Sequence, residues 1–175
     1  AINKRFNYYM GVDFARMGQD ESVFISLMEF GNAFKINDII ETKQKLLTDA
    51  IGRINNLERE YNFIKILLDE TGLGSGPTDV LKEKFGYKVE GMHFTVRNKM
   101  DIYSNLHKLM SQWKIKIPNN KKLIFQLLDL RYEVMSNGDL KLHHSDKGHD
   151  DYPDALALAC WAAKEEMGEY TPTLA

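Results

Sequence analysis

The chain has 175 residues, of which 43% are hydrophobic, and a formal net charge of −2 from 23 basic and 25 acidic residues. This length and hydrophobic content suit one globular domain, and no apolar run approaches the roughly 18 residues that a membrane span needs. The near-neutral charge excludes a globally basic surface, so a polyanion must be held by local patches. The single cysteine, Cys160, excludes an internal disulfide and a cysteine-based zinc site.

The first half of the chain predicts an antiparallel meander followed by a crossover helix and a buried strand. The first segments are rich in aromatic and β-branched residues, and Gly31 and Asn32 supply a two-residue turn between the second and third strands. The last segment is almost continuously apolar, which is typical of a parallel strand. Strands are predicted at 7–15, 22–30, 33–41 and 63–72, and the helix at 46–61.

The second half predicts helices alternating with shorter strands. Thr78 is one candidate for the N-cap of the first helix, and Gly86 follows its last periodic residue. The second helix has an apolar stripe that we expect to face the core, including Met110 and Trp113. The predicted order is helix 77–86, strand 87–94, helix 97–113, a strand and a helix within 114–130, hairpin 131–144 and a final helix from about Pro153. We expect one domain with its core at 7–167 and a flexible tail at 168–175.

Two aspartates stand at the ends of predicted buried strands. Asp13 lies in the first strand with the small Gly11 on the same face, and Asp69 ends the strand after the crossover helix. A desolvated carboxylate is costly unless a partner compensates it. An isolated aspartate in such a place is usually a turn or capping residue. Together with the stretch GHDDYPDALALA at 148–159, however, the two aspartates indicate a shared site at one edge of a mixed sheet.

The stretch 148–159 places three aspartates at the start of a helix of small residues, where one would suffice as a cap. Asp151 and Asp154 are three apart and therefore share a helix face. Carboxylates this close repel unless a proton or a metal cation lies between them. Oxygen ligands suit Mg²⁺ or Mn²⁺, and two such ions promote displacement at phosphorus. The sequence therefore predicts a divalent-metal site that acts on phosphates.

The motifs GVDFARMGQDES, LLDETGLG and GHDDYPDALALA, in this order, resemble the nuclease domain of the large terminase, the DNA-packaging motor of tailed bacteriophages, across about 8–166. The resemblance implies a ribonuclease H-like α/β fold, with a mixed central sheet of antiparallel and parallel strands flanked by helices. It also implies endonucleolytic cleavage of double-stranded DNA with two Mg²⁺ or Mn²⁺ ions. By the same resemblance, Asp13, Asp69 and Asp151 are the catalytic metal ligands. Asp154 matches a second aspartate of the related Holliday-junction resolvases and is the fourth expected ligand.

Further residues near these motifs are secondary candidates. Asp20 matches an acidic position that accompanies the first ligand in many terminases. Asp150 competes with Asp151 for the capping role, and His149 is either a proton-transfer group or a surface histidine. The basic residues that could contact DNA phosphates, without reading sequence, are Arg16, Arg97, Lys99, Lys121, Lys122 and Lys147, of which Arg16, Arg97, Lys99 and Lys147 are the principal candidates.

The glycine-rich segment TGLGSGPT at 71–78 does not complete a dinucleotide-binding fingerprint, because Pro77 stands where the third glycine is required. A tight turn beside Asp69, or a close approach of the backbone to DNA, is the preferred interpretation.

The resemblance also sets expectations for partners. No G-x-x-x-x-G-K-[ST] motif occurs, so we expect the terminase ATPase domain elsewhere in the same full-length chain. The other implied partners are double-stranded DNA, the small terminase subunit and the portal, in the cytoplasm of the infected host cell. No membrane contact is expected, and the isolated domain is expected to be monomeric. The alternatives are a Holliday-junction resolvase, which would act as a dimer on branched DNA, and a non-catalytic DNA-docking or structural module.

Overall fold

The structure is a computed structural model that describes residues 2–14, 21–43, 47–136, 140–145 and 149–167. The strands are, in chain order, β1 (Tyr8–Asp13), β2 (Ser22–Phe30), β3 (Ala33–Thr42), β4 (Lys65–Asp69), β5 (Val89–Met92), β6 (Ile115–Lys116), β7 (Arg131–Val134) and β8 (Leu140–His143). Across the described residues the main sheet has the order β5-β4-β1-β2-β3-β6, and β7 pairs with β8 separately. The pairs β1–β2 and β2–β3 are antiparallel, whereas β1–β4, β4–β5 and β3–β6 are parallel. The predicted mixed α/β architecture is thus confirmed.

Helices cover both faces of this sheet. They are α1 (Leu47–Tyr61), α2 (Gly76–Phe85), α3 (Val96–Ser111), α4 (Lys121–Asp129) and α5 (Asp151–Met167), with a short 3-10 helix at Gly86–Lys88. Because side chains alternate along a strand, β1 and β4 contribute to two cores, one shared with α1 and α2 and the other with α3, α4 and α5. Helix α5 lies almost wholly buried on its face of the sheet. No helix among the described residues is long and apolar enough to cross a membrane.

Helix α5 packs directly on β1 at Gly11. A Cβ atom at this glycine would lie 2.0 Å from the carbonyl oxygen of Ala155 and 2.4 Å from the backbone nitrogen of Ala159. Only a residue without a side chain permits this approach. The contact fixes the distance between the end of β1, where Asp13 lies, and the start of α5.

Two predictions for individual residues of the helices are wrong. Ser75, not Thr78, is the N-cap of α2, which begins at Gly76, one residue before the predicted start at 77. The Thr78 hydroxyl is buried and has no hydrogen-bond partner in the described part of the chain. Trp113 does not face the core, because α3 ends at Ser111 and Trp113 follows in a left-handed turn (φ 57°) that leaves it 92% exposed. Met110, predicted on the same stripe, is also exposed.

Other local predictions are confirmed. Gly31 (φ 61°) occupies the turn between β2 and β3, and Gly86 (φ 67°) is the C-cap of α2. Strands β7 and β8 form the predicted hairpin, whose turn at 137–139 lies outside the described residues. Cys160 is buried within α5. The expected tail at 168–175 also lies outside the described residues.

Candidate functional site

Asp13 and Asp69 lie at the carboxyl ends of neighbouring parallel strands. The register pairs Gly11 with Leu67 and Val12 with Leu68, so the final residues of β1 and β4 end side by side. Gly11 contacts α5 and Leu67 belongs to the core on the same face. The alternation of side chains then places Asp13 and Asp69 on the α5 face as well.

The start of α5 brings further carboxylates to this edge of the sheet. The helix begins at Asp151, close to the position predicted from Pro153, and the backbone N–H of Asp154 donates to the carbonyl of Asp150 at 2.7 Å. The Gln126 side chain of α4 accepts the backbone N–H of Tyr152 at 3.0 Å, so one of the helix's first amide groups is satisfied by a neighbouring helix. Asp154 is buried, at 4% exposure, whereas Asp150 and Asp151 are half-buried.

The electrostatics of Asp13 show that these carboxylates converge. Burial raises the pKa of the Asp13 carboxyl well above its ordinary value, because the charged form loses its hydration. Four other carboxylates raise this pKa further by repulsion; in decreasing order of effect they are Asp154, Asp69, Asp151 and Asp150. Three separate chain segments thus contribute acidic groups to one half-buried place.

One cation of the protein already serves this cluster. Lys99, in the second turn of α3, donates through Nζ to Asp150 Oδ2 at 2.7 Å and to Asp154 Oδ2 at 2.8 Å. The Tyr103 hydroxyl donates to Asp154 Oδ1. Burial alone would lower the pKa of Lys99, but Asp154 and Asp150 raise it, so its ammonium stays charged. Burial nevertheless raises the pKa of Asp154 to about 7, although Lys99 opposes the shift.

A divalent cation of the hard type needs oxygen donors and negative charge. The donors are carboxylate oxygens, which hard ions such as Mg²⁺ and Mn²⁺ prefer. Burial first, and then repulsion from neighbouring carboxylates, raises the pKa of Asp13, so a cation beside it would favour its ionised form. Within the described ranges, no three His, Cys, Asp or Glu side chains are gathered closely enough to enclose an ion as they stand. Donor type and charge therefore fit a divalent ion, while the side chains do not form a closed coordination shell.

The turn after β4 also supports the site. Asp69 Oδ1 accepts the backbone N–H of Thr71 at 2.7 Å, and Gly74 adopts a left-handed conformation (φ 71°). The Thr71 hydroxyl in turn accepts the backbone N–H of Phe94 at 2.8 Å. The glycine-rich segment is thus a tight turn beside Asp69, which is one of the two interpretations of its sequence.

Only some of the other candidates from the sequence lie in the described part of the chain. Asp20, Arg16 and Lys147 lie outside the described residues. His149 is exposed immediately before Asp150, and Arg97 is exposed in the first turn of α3. Their functional roles stay predictions. Lys99 was predicted to contact DNA phosphates, whereas the structure gives its ammonium two carboxylate partners inside the protein.

Sequence reasoning missed a second polar cluster, which ties the start of α5 to α4 and β3. Lys122 Nζ lies 3.1 Å from Glu21 Oε2 and 2.5 Å from Glu41 Oε1, and the Tyr152 hydroxyl donates to Glu41. Hydrogen bonding with Glu21, and then with Lys122 and Tyr152, lowers the pKa of Glu41 to about 2. The residues of this polar cluster are far apart in the chain, with 131 positions between Glu21 and Tyr152. No local sequence pattern therefore predicts the cluster.

Comparison with known proteins identifies the fold. A large terminase subunit of Thermus phage G20c is 28% identical over 158 residues, which are 87% of this chain and 31% of that protein. The chain therefore spans less than a third of the length of this relative. The large terminase nuclease of thermophilic phage G20c, solved with bound magnesium, matches with a TM-score of 0.79 at 26% identity, covering 91% of this chain and 82% of that one. The same nuclease with bound cobalt gives a TM-score of 0.77 at 26% identity, covering 89% and 81%.

These structures confirm the ribonuclease H-like fold and its likeness to large terminase nuclease domains. The family model of the terminase RNaseH-like domain matches residues 10–162, which include the ends of β1 and β4 and most of α5. The chain belongs to the terminase RNaseH-like domain family.

Proposed function

We propose that this chain is a metal-dependent endonuclease that hydrolyses double-stranded DNA during viral genome packaging, with Asp13, Asp69 and Asp151 as its metal ligands. The observation that carries the proposal is the convergence of aspartates from β1, β4 and the start of α5 around the half-buried Asp13. The large terminase nuclease that shares the fold has been solved with bound magnesium, cobalt and zinc, which supports the use of a divalent ion here.

Each proposed ligand is held by a rigid element. Asp13 and Asp69 end paired strands, and Asp151 begins a helix that is locked on β1 through Gly11. Two Mg²⁺ or Mn²⁺ ions, when bound, would supply Lewis acidity and neutralise the charge that develops on the phosphate. The residues themselves orient the site before substrate arrives, which is what precise positioning of a phosphodiester requires.

The partners of the proposed reaction follow from the family. We infer that the DNA is presented by an ATPase domain of the same full-length chain, acting with the small terminase subunit and the portal in the cytoplasm of the infected host. Arg97, exposed near the site at the start of α3, is the described residue proposed to contact a DNA phosphate. Arg16 and Lys147 are proposed for the same role.

The test is cleavage of a supercoiled plasmid by the purified chain in MnCl₂, in MgCl₂ and in EDTA. We expect nicking and linearisation with either metal and none in EDTA. Asp13→Asn and Asp151→Asn should each lower the rate at least about 100-fold, because loss of a direct ligand costs more than loss of an outer partner. Asp101→Asn, which removes an exposed carboxylate of α3, is the matched control and should cut at the parent's rate.

Two outcomes would contradict the proposal. One is a folded Asp13→Asn variant that cuts as fast as the parent. The other is a folded parent that cuts in neither metal, which would favour a DNA-docking role for the isolated domain. A four-way junction tested beside a linear duplex separates a packaging nuclease from a resolvase, because only a resolvase should prefer the junction.

A further inference from the structure

Lys99 has an unusual environment for a lysine at the start of a helix. Its side chain is only 20% exposed, and its Nζ bonds two different carboxylates, Asp150 and Asp154, at 2.7 and 2.8 Å. Two aromatic rings flank the ammonium, with centroids 5.1 Å away at Phe94 and 5.7 Å away at Tyr103. A cation that is buried, doubly paired and walled by rings has little freedom to reach an outside phosphate.

The local structure of α3 delivers Lys99 to this place. Thr95 and Asn98 form a reciprocal capping box that fixes the first turn of the helix. Asn98 also donates to the carbonyl of His93, which ties that turn to the end of β5. Lys99 follows directly on this braced turn, and its helix packs along α5.

Both carboxylate oxygens of Asp154 already have hydrogen-bond donors within the protein. Its Oδ2 accepts from Lys99 and its Oδ1 accepts from Tyr103, and the residue is 4% exposed. An ion bound directly to Asp154 would have to compete with one of these donors.

Resting on the proposed function, we propose that Lys99 is a built-in cation that takes the place of a metal ion between Asp150 and Asp154, and that Asp154 is a positioning residue rather than a metal ligand. Lys99 bridges positions 150 and 154, so it fixes the turn of α5 that carries Asp151. This assignment revises two predictions from the sequence, the DNA contact of Lys99 and the ligand role of Asp154.

The first experiment counts bound Mn²⁺ ions in the purified chain, by titration with electron paramagnetic resonance of the free ion. Asp154→Asn should leave the number of bound ions as in the parent, whereas Asp13→Asn should lower it. Lys99→Met removes the charge at similar length and should raise the number by one, because the Asp150–Asp154 pair becomes available to Mn²⁺. Lys99→Arg, which keeps the positive charge, should bind the same number of Mn²⁺ ions as the parent. Circular dichroism confirms that each variant is folded.

The outcomes separate this proposal from the proposed function. A parent that binds no Mn²⁺ would contradict both. A parent that binds Mn²⁺, together with an Asp154→Asn variant that loses an ion or a Lys99→Met variant that gains none, would contradict only the assignment of Lys99 and Asp154.

A second readout tests the same assignment without metal. The binding constant for DNA is measured in EDTA at several salt concentrations, and its logarithm is plotted against the logarithm of the salt concentration. Each lost phosphate contact makes the slope of this plot shallower by about 0.9. Arg97→Met should show this decrease, because Arg97 is exposed two residues from Lys99. Lys99→Met should keep the parent's slope. If the slope for Lys99→Met fell as much as the slope for Arg97→Met, the Lys99 ammonium would contact DNA in the parent. That result would overturn the assignment of Lys99 as a cation held between Asp150 and Asp154.

Discussion

The packing of α5 on β1 predicts a large effect of the smallest possible substitution. In Gly11→Ala the new Cβ would meet the Ala155 carbonyl oxygen at 2.0 Å, where ordinary contact begins at 3.4 Å. Helix α5 would have to move by about 1.4 Å, and the atoms it meets are backbone, which cannot rotate away. Overpacking of this kind usually costs 1–3 kcal/mol and sometimes more, so we expect a loss of about 3 kcal/mol.

Thermal unfolding measured by circular dichroism checks this magnitude. In a chain of this size about 3 kcal/mol corresponds to a fall in Tm of about 6–12 °C. Gly52→Ala is the matched control, because nothing lies within 4 Å of its added Cβ and alanine favours the interior of α1. It should raise stability by about 0.5–1 kcal/mol.

The same substitution bears on the site. Because Gly11 sets the spacing between β1 and α5, a folded Gly11→Ala protein should also lose plasmid cleavage, while Gly52→Ala keeps it. A Gly11→Ala protein as stable as the parent would refute the close contact of α5 with β1 and with it this account of how Asp13 is positioned.

Three further substitutions test individual features by chemical denaturation. Trp113→Gly should stabilise the fold by about 1 kcal/mol, because the left-handed position after α3 favours glycine and the exposed indole contributes little; Gln112→Gly, at φ −89°, should bring no such gain. Thr78→Val should stabilise by about 1 kcal/mol by removing an unpaired buried hydroxyl, whereas Thr78→Ser, which keeps it, should destabilise. Glu41→Gln should cost stability above about pH 5, and the difference from the parent should vanish towards pH 2. The folded pKa of Glu41, about 2 through hydrogen bonding with Glu21 and then with Lys122 and Tyr152, lies below that of the unfolded chain. The stabilisation by the ionised carboxylate is therefore fully present above the unfolded pKa and is lost as the pH falls through the folded pKa.

The strands and the principal aspartates could be predicted because each leaves a local pattern. The alternation in β1 to β3 and the apolar run of β4 specify a mixed sheet, and a parallel β1–β4 pair necessarily brings the ends of both strands together. Asp13 and Asp69 were therefore placed correctly at one edge by periodicity and topology alone. The direct binding of metal by these residues stays a prediction.

The features that the sequence did not predict depend on contacts between distant segments or on the exact residue at which a helix ends. Lys99 looks like a solvated lysine in a helix, and only the packing of α3 against α5 brings it to Asp150, 51 positions away. Trp113 continues the apolar stripe of α3 in sequence, but the helix ends two residues earlier and the turn directs the indole outward. Periodicity contains no information on where a helix stops when the position after it holds no glycine.

The contact at Gly11 and the ion pairs of Lys99 both bear on the repulsion between the aspartates of the site. Aspartates brought together at a buried edge would force α5 away from the sheet unless cations offset their repulsion. The backbone contact at Gly11 prevents that movement, so the repulsion must be met where the carboxylates lie. Lys99 meets part of it at Asp150 and Asp154. Burial, and then repulsion from the other carboxylates, keeps the pKa of Asp13 raised. The divalent ions of the proposed function would offset the part of this repulsion that Lys99 leaves at Asp13.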